Sequence, residues 1–210
     1  MMSLFIDTSN FKLIVGVINE KENKVCSYYN DVLKSDLSEK ALVVIKECID
    51  KAKIRPIDID KIYVVNGPGS FTGVRIGVTI AKTYGWSLNK KVIPVSSLEV
   101  LSSTDTDKKY VASLIDARRG YVYAGIYNNE LKAYRKDKYI ELEELKRIIP
   151  KDSIIVSDDD IDGVERPSIN ILKVVNKHKD DDGVNPHELV PSYLKITEAE
   201  ANLKKNDKRN

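Results

Sequence analysis

The chain has 210 residues, enough for one large domain or two small ones with a sizeable hydrophobic core. Hydrophobic residues make up 42% and charged residues 31%, which is the composition of an ordinary globular protein. The net charge is only +2, so the sequence does not indicate a dedicated nucleic-acid-binding protein, which would have a stronger basic bias.

The first half begins with three predicted strands and a helix. Residues 4–6 form a short buried strand, KLIVGVI starts a second strand at Lys12, and KVCSYY starts a third at Lys24. The following helix can be capped by Ser35 or Asp36. Its predicted apolar stripe consists of Ala41, Leu42, Ile45 and Ile49.

After the helix, strands and helices alternate. IYVVN (62–66) is a predicted strand, 72–88 a second helix, and KVIPV (91–95) another strand. The order βββαβαβ is typical of a ribonuclease-H-like α/β fold.

The second half repeats the pattern of the first at an offset of 109 residues. Ile-Asp ends a strand at Asp7 and at Asp116, and a glycine follows nine residues later at Gly16 and Gly125. Such short matches also arise by chance, but LKAYRK, ELEELKRII and SIIVS then predict a strand, a helix and a strand in the same order. We therefore expect two tandem copies of one unit.

The polar stretch STDTDKK (103–109) marks the predicted seam. It divides the chain into a first domain at 1–102 and a smaller second domain at 103–200, followed by a flexible basic tail at 201–210. DDDIDG (158–163) and KHKDDDGVNP (177–186) are predicted to be solvated charged loops. DDDIDG lacks the spacing and the closing glutamate of a calcium-binding EF-hand.

The loop NGPGSFTG, residues 66–73, has the outline of a phosphate-binding loop. However, Thr72 stands where both the Walker and the dinucleotide patterns require glycine, and Pro68 removes one backbone N–H. The helix N-terminus behind the loop still attracts anions. We favour a tight turn in which Ser70 or Thr72 caps the helix, with nucleotide binding as the alternative.

The helix after this loop has a small residue every four positions, at Gly73, Gly77, Ala81 and Gly85. Such a stripe admits another backbone at close range, and the remaining positions are mostly apolar. The helix is either covered by the second copy or packs against a partner chain, and we favour the partner. The predicted interface consists of Gly73, Val74, Arg75, Gly77, Val78, Ile80, Ala81, Tyr84 and Gly85.

The start of the chain has no basic segment followed by a long apolar run, so no signal peptide is predicted. No apolar run reaches the roughly 20 residues that span a bilayer. Cys26 and Cys48 have no CxxC spacing, which indicates reduced, buried thiols. We expect a cytoplasmic protein without membrane contact.

Five segments together resemble the TsaB (YeaZ-type) family: IDTS, NGPGSFTGVRIGVTIAK, PVSSLEVL, LIDARRGYVYAGIY and PSYLK. The resemblance covers about residues 4–196. It implies the actin-like ATPase fold, in which two ribonuclease-H-like domains follow one another, each with a mixed sheet of five-stranded type and flanking helices. It also implies a role in making N6-threonylcarbamoyladenosine, beside the anticodon of tRNAs that read codons starting with A.

The resemblance further implies a scaffold rather than an enzyme. In this family the chain pairs with its paralogue TsaD, which transfers the threonylcarbamoyl group. TsaE, a small ATPase, joins the pair, and TsaC supplies threonylcarbamoyl-adenylate. Alone, the chain is expected to form a homodimer through the same helical surface. Contact with tRNA is expected only through the complex, and ATP or ADP only at a subunit interface.

The residues give a physical reason to expect no catalysis. TsaD is expected to have two metal-binding histidines at the positions that Ser97 and Leu101 occupy in this chain. Neither a serine nor a leucine side chain can replace an imidazole ligand. The chain has only His178 and His187, both predicted to lie in the late polar loop. No GxSxG elbow is present, so the metallopeptidase alternative has little support.

Asp7 and Asp116 end strands where actin-like kinases hold a metal-bound nucleotide, so an ATP-dependent phosphotransferase remains an alternative. Arg118 and Arg119 either bind an anion or form an exposed charged turn. Leu37 stands where many relatives have a histidine. We group Asp7, Asp116, Arg118 and Arg119 as a possible vestigial nucleotide or anion site. Its other predicted members are Thr8, Ser9, Gly67, Gly69, Ser70 and Thr72.

Overall fold

A computed structural model of the chain describes residues 1–33 and 36–195. These residues form two mixed sheets, one of five and one of four strands, with helices packed against them. The first half contains, in chain order, β1 (Met2–Asp7), β2 (Lys12–Asn19), β3 (Lys24–Val32), α1 (Leu37–Lys51), β4 (Ile59–Gly67), α2 (Phe71–Ser87), β5 (Val92–Ser96) and α3 (Ser97–Leu101). The second half contains β6 (Tyr110–Asp116), β7 (Tyr121–Asn128), β8 (Ala133–Glu141), α4 (Leu142–Ile148), β9 (Ser153–Val156) and α5 (Ile171–His178).

The first sheet has the strand order β3-β2-β1-β4-β5. The first three strands pair antiparallel, whereas β4 pairs parallel to both β1 and β5. Because β1 and β4 run in the same direction, their last residues, Asp7 and Gly67, lie at the same edge of the sheet. This topology brings the DTSN turn beside the glycine loop, and it confirms the predicted order of elements.

The second sheet repeats this arrangement in the order β8-β7-β6-β9. Asp116 ends β6 as Asp7 ends β1, and Gly125 in β7 lies opposite Ser113 as Gly16 in β2 lies opposite Phe5. The predicted internal repeat is therefore present in the fold. The expectation of five strands in each sheet is wrong for the second sheet, which has four among the described residues.

The reason lies in the path of the chain after β9. Helix α5 does not cover the second sheet but packs with its buried Val174 and Val175 against the first sheet, in a core that includes Phe5 and Tyr63. Alternate residues of β1, such as Leu4, face the opposite core under α1 and α2. Both faces of the first sheet are apolar and need cover, and α5 supplies it on one side.

Residues 183–195, here called the C-terminal strap, also return to the first sheet. Val184 forms an antiparallel bridge with Val92 at the edge strand β5, and Leu189 is buried in the core beneath α1 and α2. The last part of the predicted second domain therefore packs on the first. The predicted tail, residues 201–210, lies outside the described residues.

Helix α1 differs from its predicted packing at one position. Ala41, Ile45 and Ile49 are buried as expected, but Leu42 is 52% exposed, and Val44 fills the inner face instead. Leu42 therefore lies on the surface, beside the exposed side of α2. No helix within residues 1–33 and 36–195 is long and apolar enough to cross a bilayer.

Candidate functional site: a filled loop cleft and an open helix groove

The glycine loop is pressed against the DTSN turn. The Ser70 backbone N–H donates a hydrogen bond of 2.7 Å to the Ser9 carbonyl oxygen, and Thr8 Oγ1 donates one of 2.7 Å to the Gly73 carbonyl oxygen. A Cβ atom added to Gly69 would lie 2.2 Å from Ser9 O, and one added to Gly73 would lie 2.1 Å from Thr8 O. These glycines are required for close packing of the chain on itself.

The cap of helix α2 is the first of the two predicted alternatives, Ser70 and Thr72. Ser70 is the N-cap residue, and its Oγ accepts the Gly73 N–H at 3.2 Å. The Ser70 and Gly73 N–H groups, which a phosphate loop would offer to a ligand, are thus used within the chain. Thr72 is exposed on the first turn of the helix.

Little space remains at the strand ends. A cavity of about 10 Å³ lies there, roughly the room that one water needs. Its lining includes Asp7, Ser9, Lys12, Ser97 and Asp158. In this arrangement the cleft is filled by the chain's own side chains rather than shaped around a phosphate.

Asp7 is buried at this cavity and accepts the Ser9 backbone N–H at 2.8 Å. Burial, aided by the charge of Asp158, raises the pKa of Asp7 to about 6. Asp158 itself is only 4% exposed and forms an ion pair with Lys12. The prediction that DDDIDG is a solvated loop is therefore wrong for Asp158, because β9 carries it into the contact between the two halves.

The turn after β6 is separate from the glycine loop in its hydrogen bonding. Asp116 is exposed, and its Oδ1 accepts the Arg118 backbone N–H at 2.8 Å. Arg118 and Arg119 are exposed with left-handed φ angles of 66° and 56°. Among the described residues, no hydrogen bond joins this turn to residues 67–70, so the predicted site residues fall into two groups.

The positions at which the transferase paralogue is expected to carry histidines are filled here by packing. Ser97 is buried and donates a hydrogen bond to the Pro68 carbonyl oxygen, while Leu101 lies in an apolar core. Within the part of the chain that the structure describes, no three His, Cys, Asp or Glu side chains are grouped so that they can hold a metal ion.

The prediction that His178 lies in a polar loop is wrong, because His178 is the last residue of helix α5. Its Nε2 lies 2.7 Å from Glu99 Oε1 and its Nδ1 lies 2.7 Å from Asp181 Oδ2. Lys177 Nζ is 3.0 Å from the other oxygen of Glu99. The imidazole therefore ties α5 to α3, an interaction that the sequence spacing does not indicate.

The small-residue stripe of α2 faces inward. A Cβ atom on Gly77 would lie 2.4 Å from Thr8 Oγ1, and one on Gly85 would lie 2.7 Å from Val92 Cγ2 and 2.8 Å from Pro186 Cγ. The prediction that this stripe contacts a partner is wrong, because the DTSN turn and the C-terminal strap of the same chain pack against it. The predicted interface residues that are buried within the chain are Gly73, Val74, Gly77, Val78, Ile80, Ala81 and Gly85, of which Ile80 also lines the open side of the helix.

The opposite side of α2 is open. Together with α1 it forms a surface groove of about 420 Å³, here called the α1–α2 groove. Phe71 is 58% exposed at its edge. Of the predicted interface residues, Arg75 is exposed in the groove, and Tyr84 is half-buried against the core. The residues that define the groove are Leu42, Phe71, Arg75, Ile76, Thr79 and Ile80.

A signal for this groove was present in the sequence. Phe71, Arg75 and Thr79 recur every four residues, two positions out of step with the glycines, and so lie on another side of the helix.

Comparisons with known proteins identify relatives along most of the chain. The family model of TsaD, tRNA N6-adenosine threonylcarbamoyltransferase, matches residues 31–158. A tRNA threonylcarbamoyladenosine biosynthesis protein TsaB from Bacillus subtilis is 34% identical over 96% of this chain and 97% of its own length. A TsaB protein from Buchnera aphidicola subsp. Schizaphis graminum is 31% identical over 74% of this chain and 77% of its own length.

Solved structures share the fold. YeaZ from Pseudomonas aeruginosa superposes with a TM-score of 0.74, at 21% identity, over 91% of this chain and 100% of its own. A second structure from the same species, of a protein described as similar to the peptidase YeaZ, gives a TM-score of 0.79 at 21% identity, over 92% and 99% of the two chains. With a relative at 34% identity along nearly its whole length, the chain belongs to the TsaB family.

Proposed function

We propose that this chain is the non-catalytic partner of a TsaD-type threonylcarbamoyltransferase in the formation of N6-threonylcarbamoyladenosine on tRNA. The modified base would lie beside the anticodon of tRNAs that read codons starting with A. The names of the relatives identify the pathway. The observation that carries the proposed role is the open α1–α2 groove, an apolar surface with an arginine at its edge.

The groove supports pairing with a paralogue in particular. The TsaD family model matches residues 31–158, a range that includes α1 and α2. A TsaD-type partner would therefore present two corresponding helices, and two such helix pairs can meet across an approximate two-fold axis. The same geometry allows a second copy of this chain to occupy the groove, which gives the homodimer expected for the chain alone.

The filled strand-end cleft supports a role without catalysis. Ser97 and Leu101 are committed to packing where the transferase is expected to bind metal, and the Ser70 and Gly73 N–H groups of the glycine loop donate to the chain itself. We infer that the chain alone binds no cofactor, and that any ATP or ADP lies at a subunit interface of the complex. An ATP-dependent phosphotransferase would need a wider opening between the DTSN turn and the glycine loop.

The remaining elements of the proposal follow from this role. TsaE would join the assembled pair, and tRNA would be bound through the complex rather than by this chain alone. The location would be the cytoplasm, where tRNA is modified.

The test is to block the groove without disturbing the core. Thr79 is exposed in the groove, so Thr79→Arg places a long charged side chain there while leaving the buried face of α2 intact. We expect this variant to lose co-purification with the TsaD-type protein of the same organism. Ala133→Arg, at an exposed position of the edge strand β8, is the matched control and is expected to retain it. A stoichiometric complex with the Thr79→Arg variant would refute the proposed docking surface.

A further inference from the structure

We infer that the C-terminal strap is part of the partner-binding surface, because Tyr193 and Phe71 hold Arg75 as a positive anchor for a carboxylate of the partner. This inference rests on the proposed function, and it adds a residue far from α2 in the sequence. It also assigns a charge to the partner surface that would face the edge of the groove.

Arg75, Phe71 and Tyr193 form a cluster in which each side chain contacts the other two. Arg75 Nε donates a hydrogen bond of 2.9 Å to the Tyr193 hydroxyl, and Arg75 Cζ lies 3.6 Å from the centroid of the Phe71 ring. The Phe71 and Tyr193 rings are themselves stacked, with centroids 5.7 Å apart. The guanidinium is thus held by one hydrogen bond and one cation–π contact, and its terminal nitrogens make no hydrogen bond to the residues that the structure describes.

The strap is fixed to the first sheet just before Tyr193. The Ser192 backbone N–H donates to the Asn66 carbonyl oxygen at 2.7 Å, and Asn66 Nδ2 donates to Val190 O at 3.1 Å. Lys82 Nζ on α2 donates to Leu189 O at 3.2 Å. These bonds place the Tyr193 ring over the first turn of α2, so the cluster is a built feature and not a chance contact of a free end.

Within residues 1–33 and 36–195, no acidic side chain forms an ion pair with Arg75. Among the described residues, none of the ion pairs within 4.0 Å includes Arg75, whereas the surface residue Arg55 pairs with Asp58 at 2.9 Å. A guanidinium that becomes covered at an interface without a counter-charge would be costly. A partner that covers Phe71 and the groove must therefore present an aspartate or glutamate to Arg75.

The composition of the cluster also fits an interface. Tyr193 is 50% exposed and Phe71 58% exposed, so both rings offer apolar area around the cation. Aromatic residues and arginine are enriched at the positions that dominate binding energy. The partner chemistry that complements this surface is an apolar helix face carrying one carboxylate.

The experiment measures the affinity for the TsaD-type protein of the same organism by isothermal titration calorimetry at low and high salt. Arg75→Met keeps the length of the side chain and removes its charge; we expect affinity to fall about tenfold at low salt, and its salt dependence to become shallower. Tyr193→Phe keeps the ring and removes only the hydrogen-bond acceptor. We expect affinity to fall about threefold, a free-energy change smaller than that of one typical hydrogen bond.

A second cation–π pair on the chain supplies matched controls. Arg135 Cζ lies 5.5 Å from the Tyr134 ring on the edge strand β8, remote in sequence from the groove, and both residues are exposed. Arg135→Met and Tyr134→Phe change the same groups and should leave affinity within about twofold of the wild type, a shift too small to count as a lost contact. Urea unfolding of every variant separates a binding defect from a folding defect.

The outcomes distinguish the inference from the proposed function. If Arg75→Met binds like the wild type at both salt concentrations while Thr79→Arg does not bind, the anchor is refuted and the groove stands. If affinity falls but the salt dependence is unchanged, Arg75 contributes packing, and the assignment of a partner carboxylate is refuted. If Thr79→Arg also binds normally, the docking surface of the proposed function is refuted together with the anchor.

Discussion

Replacing Gly77 by alanine tests the direction in which the small-residue stripe of α2 faces. On an exposed helix surface, glycine to alanine stabilises a protein by about 1 kcal/mol, because alanine has the higher helix propensity. In this structure the new methyl group would lie 2.4 Å from Thr8 Oγ1, well inside van der Waals contact. The two possible environments therefore predict opposite signs.

The magnitude follows from the surroundings of Thr8. Overpacking a rigid core costs about 1–3 kcal/mol, and displacing Thr8 weakens its 2.7 Å hydrogen bond to Gly73 O, worth about 1 kcal/mol. The gain in helix propensity offsets about 1 kcal/mol of this cost. We expect Gly77→Ala to lower the free energy of unfolding by about 2 kcal/mol, which for a chain of this size lowers Tm by about 4–8 °C.

The assay is urea unfolding followed by circular dichroism, with the exposed neighbour Thr79→Ala as a control that stays within about 0.5 kcal/mol of the wild type. In the double variant Thr8→Ala/Gly77→Ala the clashing oxygen is absent, so the cost of the alanine at position 77 should largely disappear. If Gly77→Ala stabilises the protein, or if the cost persists without the Thr8 hydroxyl, the inward orientation of the stripe is refuted.

Three further predictions concern buried charges and backbone strain. Because burial raises the pKa of Asp7 from 3.8 to about 6, the folded chain keeps a proton that the unfolded chain releases, and stability falls as pH rises from about 4 to about 6. Asp7→Asn should remove this slope. Between pH 4 and pH 7, the free energy of unfolding of the variant should therefore rise by about 1–3 kcal/mol relative to that of the wild type. An unchanged slope would contradict the raised pKa of Asp7. Burial alone would lower the pKa of His178, but the hydrogen bond and charge of Glu99, with a smaller contribution from the hydrogen bond to Asp181, outweigh it and raise the pKa. The stabilisation from His178 is thus complete below its unfolded pKa and is lost as pH rises through the folded value, so His178→Gln should be more destabilising in urea titrations at acidic than at alkaline pH, and an equal cost at both would count against the charged contact. Arg119→Gly relieves a left-handed backbone conformation and should raise the free energy of unfolding by about 0.5–1 kcal/mol in the same assay, whereas a loss of stability would show that the arginine side chain makes a stabilising contact.

The sequence was sufficient to predict most of the elements and their order, but not helices α3 and α5. Hydrophobic alternation and helical periodicity are local properties, so β1, α1 and α2 could be located from short windows of residues. The spacing of Asp7 and Gly16 recurs at Asp116 and Gly125, and this recurrence indicated that the second half repeats the sheet of the first. The Ser70 cap was also predictable, since capping involves residues three positions apart.

The orientation of α2 could not be predicted in the same way. Glycines at every fourth position show that something approaches the helix closely, but they do not say whether it belongs to the same chain. Here the approaching groups are Thr8 and Pro186, which are distant in sequence and adjacent in space. The exposed row of Phe71, Arg75 and Thr79 is visible in the sequence, yet it gains meaning only once the glycine side is known to be filled.

The longest-range contacts were missed for a related reason. Helix α5 follows the second sheet in the chain but packs on the first, and nothing in its own amphipathic pattern specifies which sheet it covers. His178 and Asp158 were assigned to solvated loops because their neighbours are charged. Their burial depends on Glu99 and Lys12, which lie 79 and 146 residues away.

Reconstitution of the modification reaction tests the central claim most directly. Purified TsaD-type and TsaE-type proteins would be incubated with unmodified tRNA and with threonylcarbamoyl-adenylate supplied by a TsaC-type protein, and N6-threonylcarbamoyladenosine would be quantified by mass spectrometry. We predict that product forms when the wild-type chain is added and falls to background with the Thr79→Arg variant or without the chain. Equal product in the absence of this chain, or product formed by this chain without the TsaD-type protein, would contradict a non-catalytic partner role.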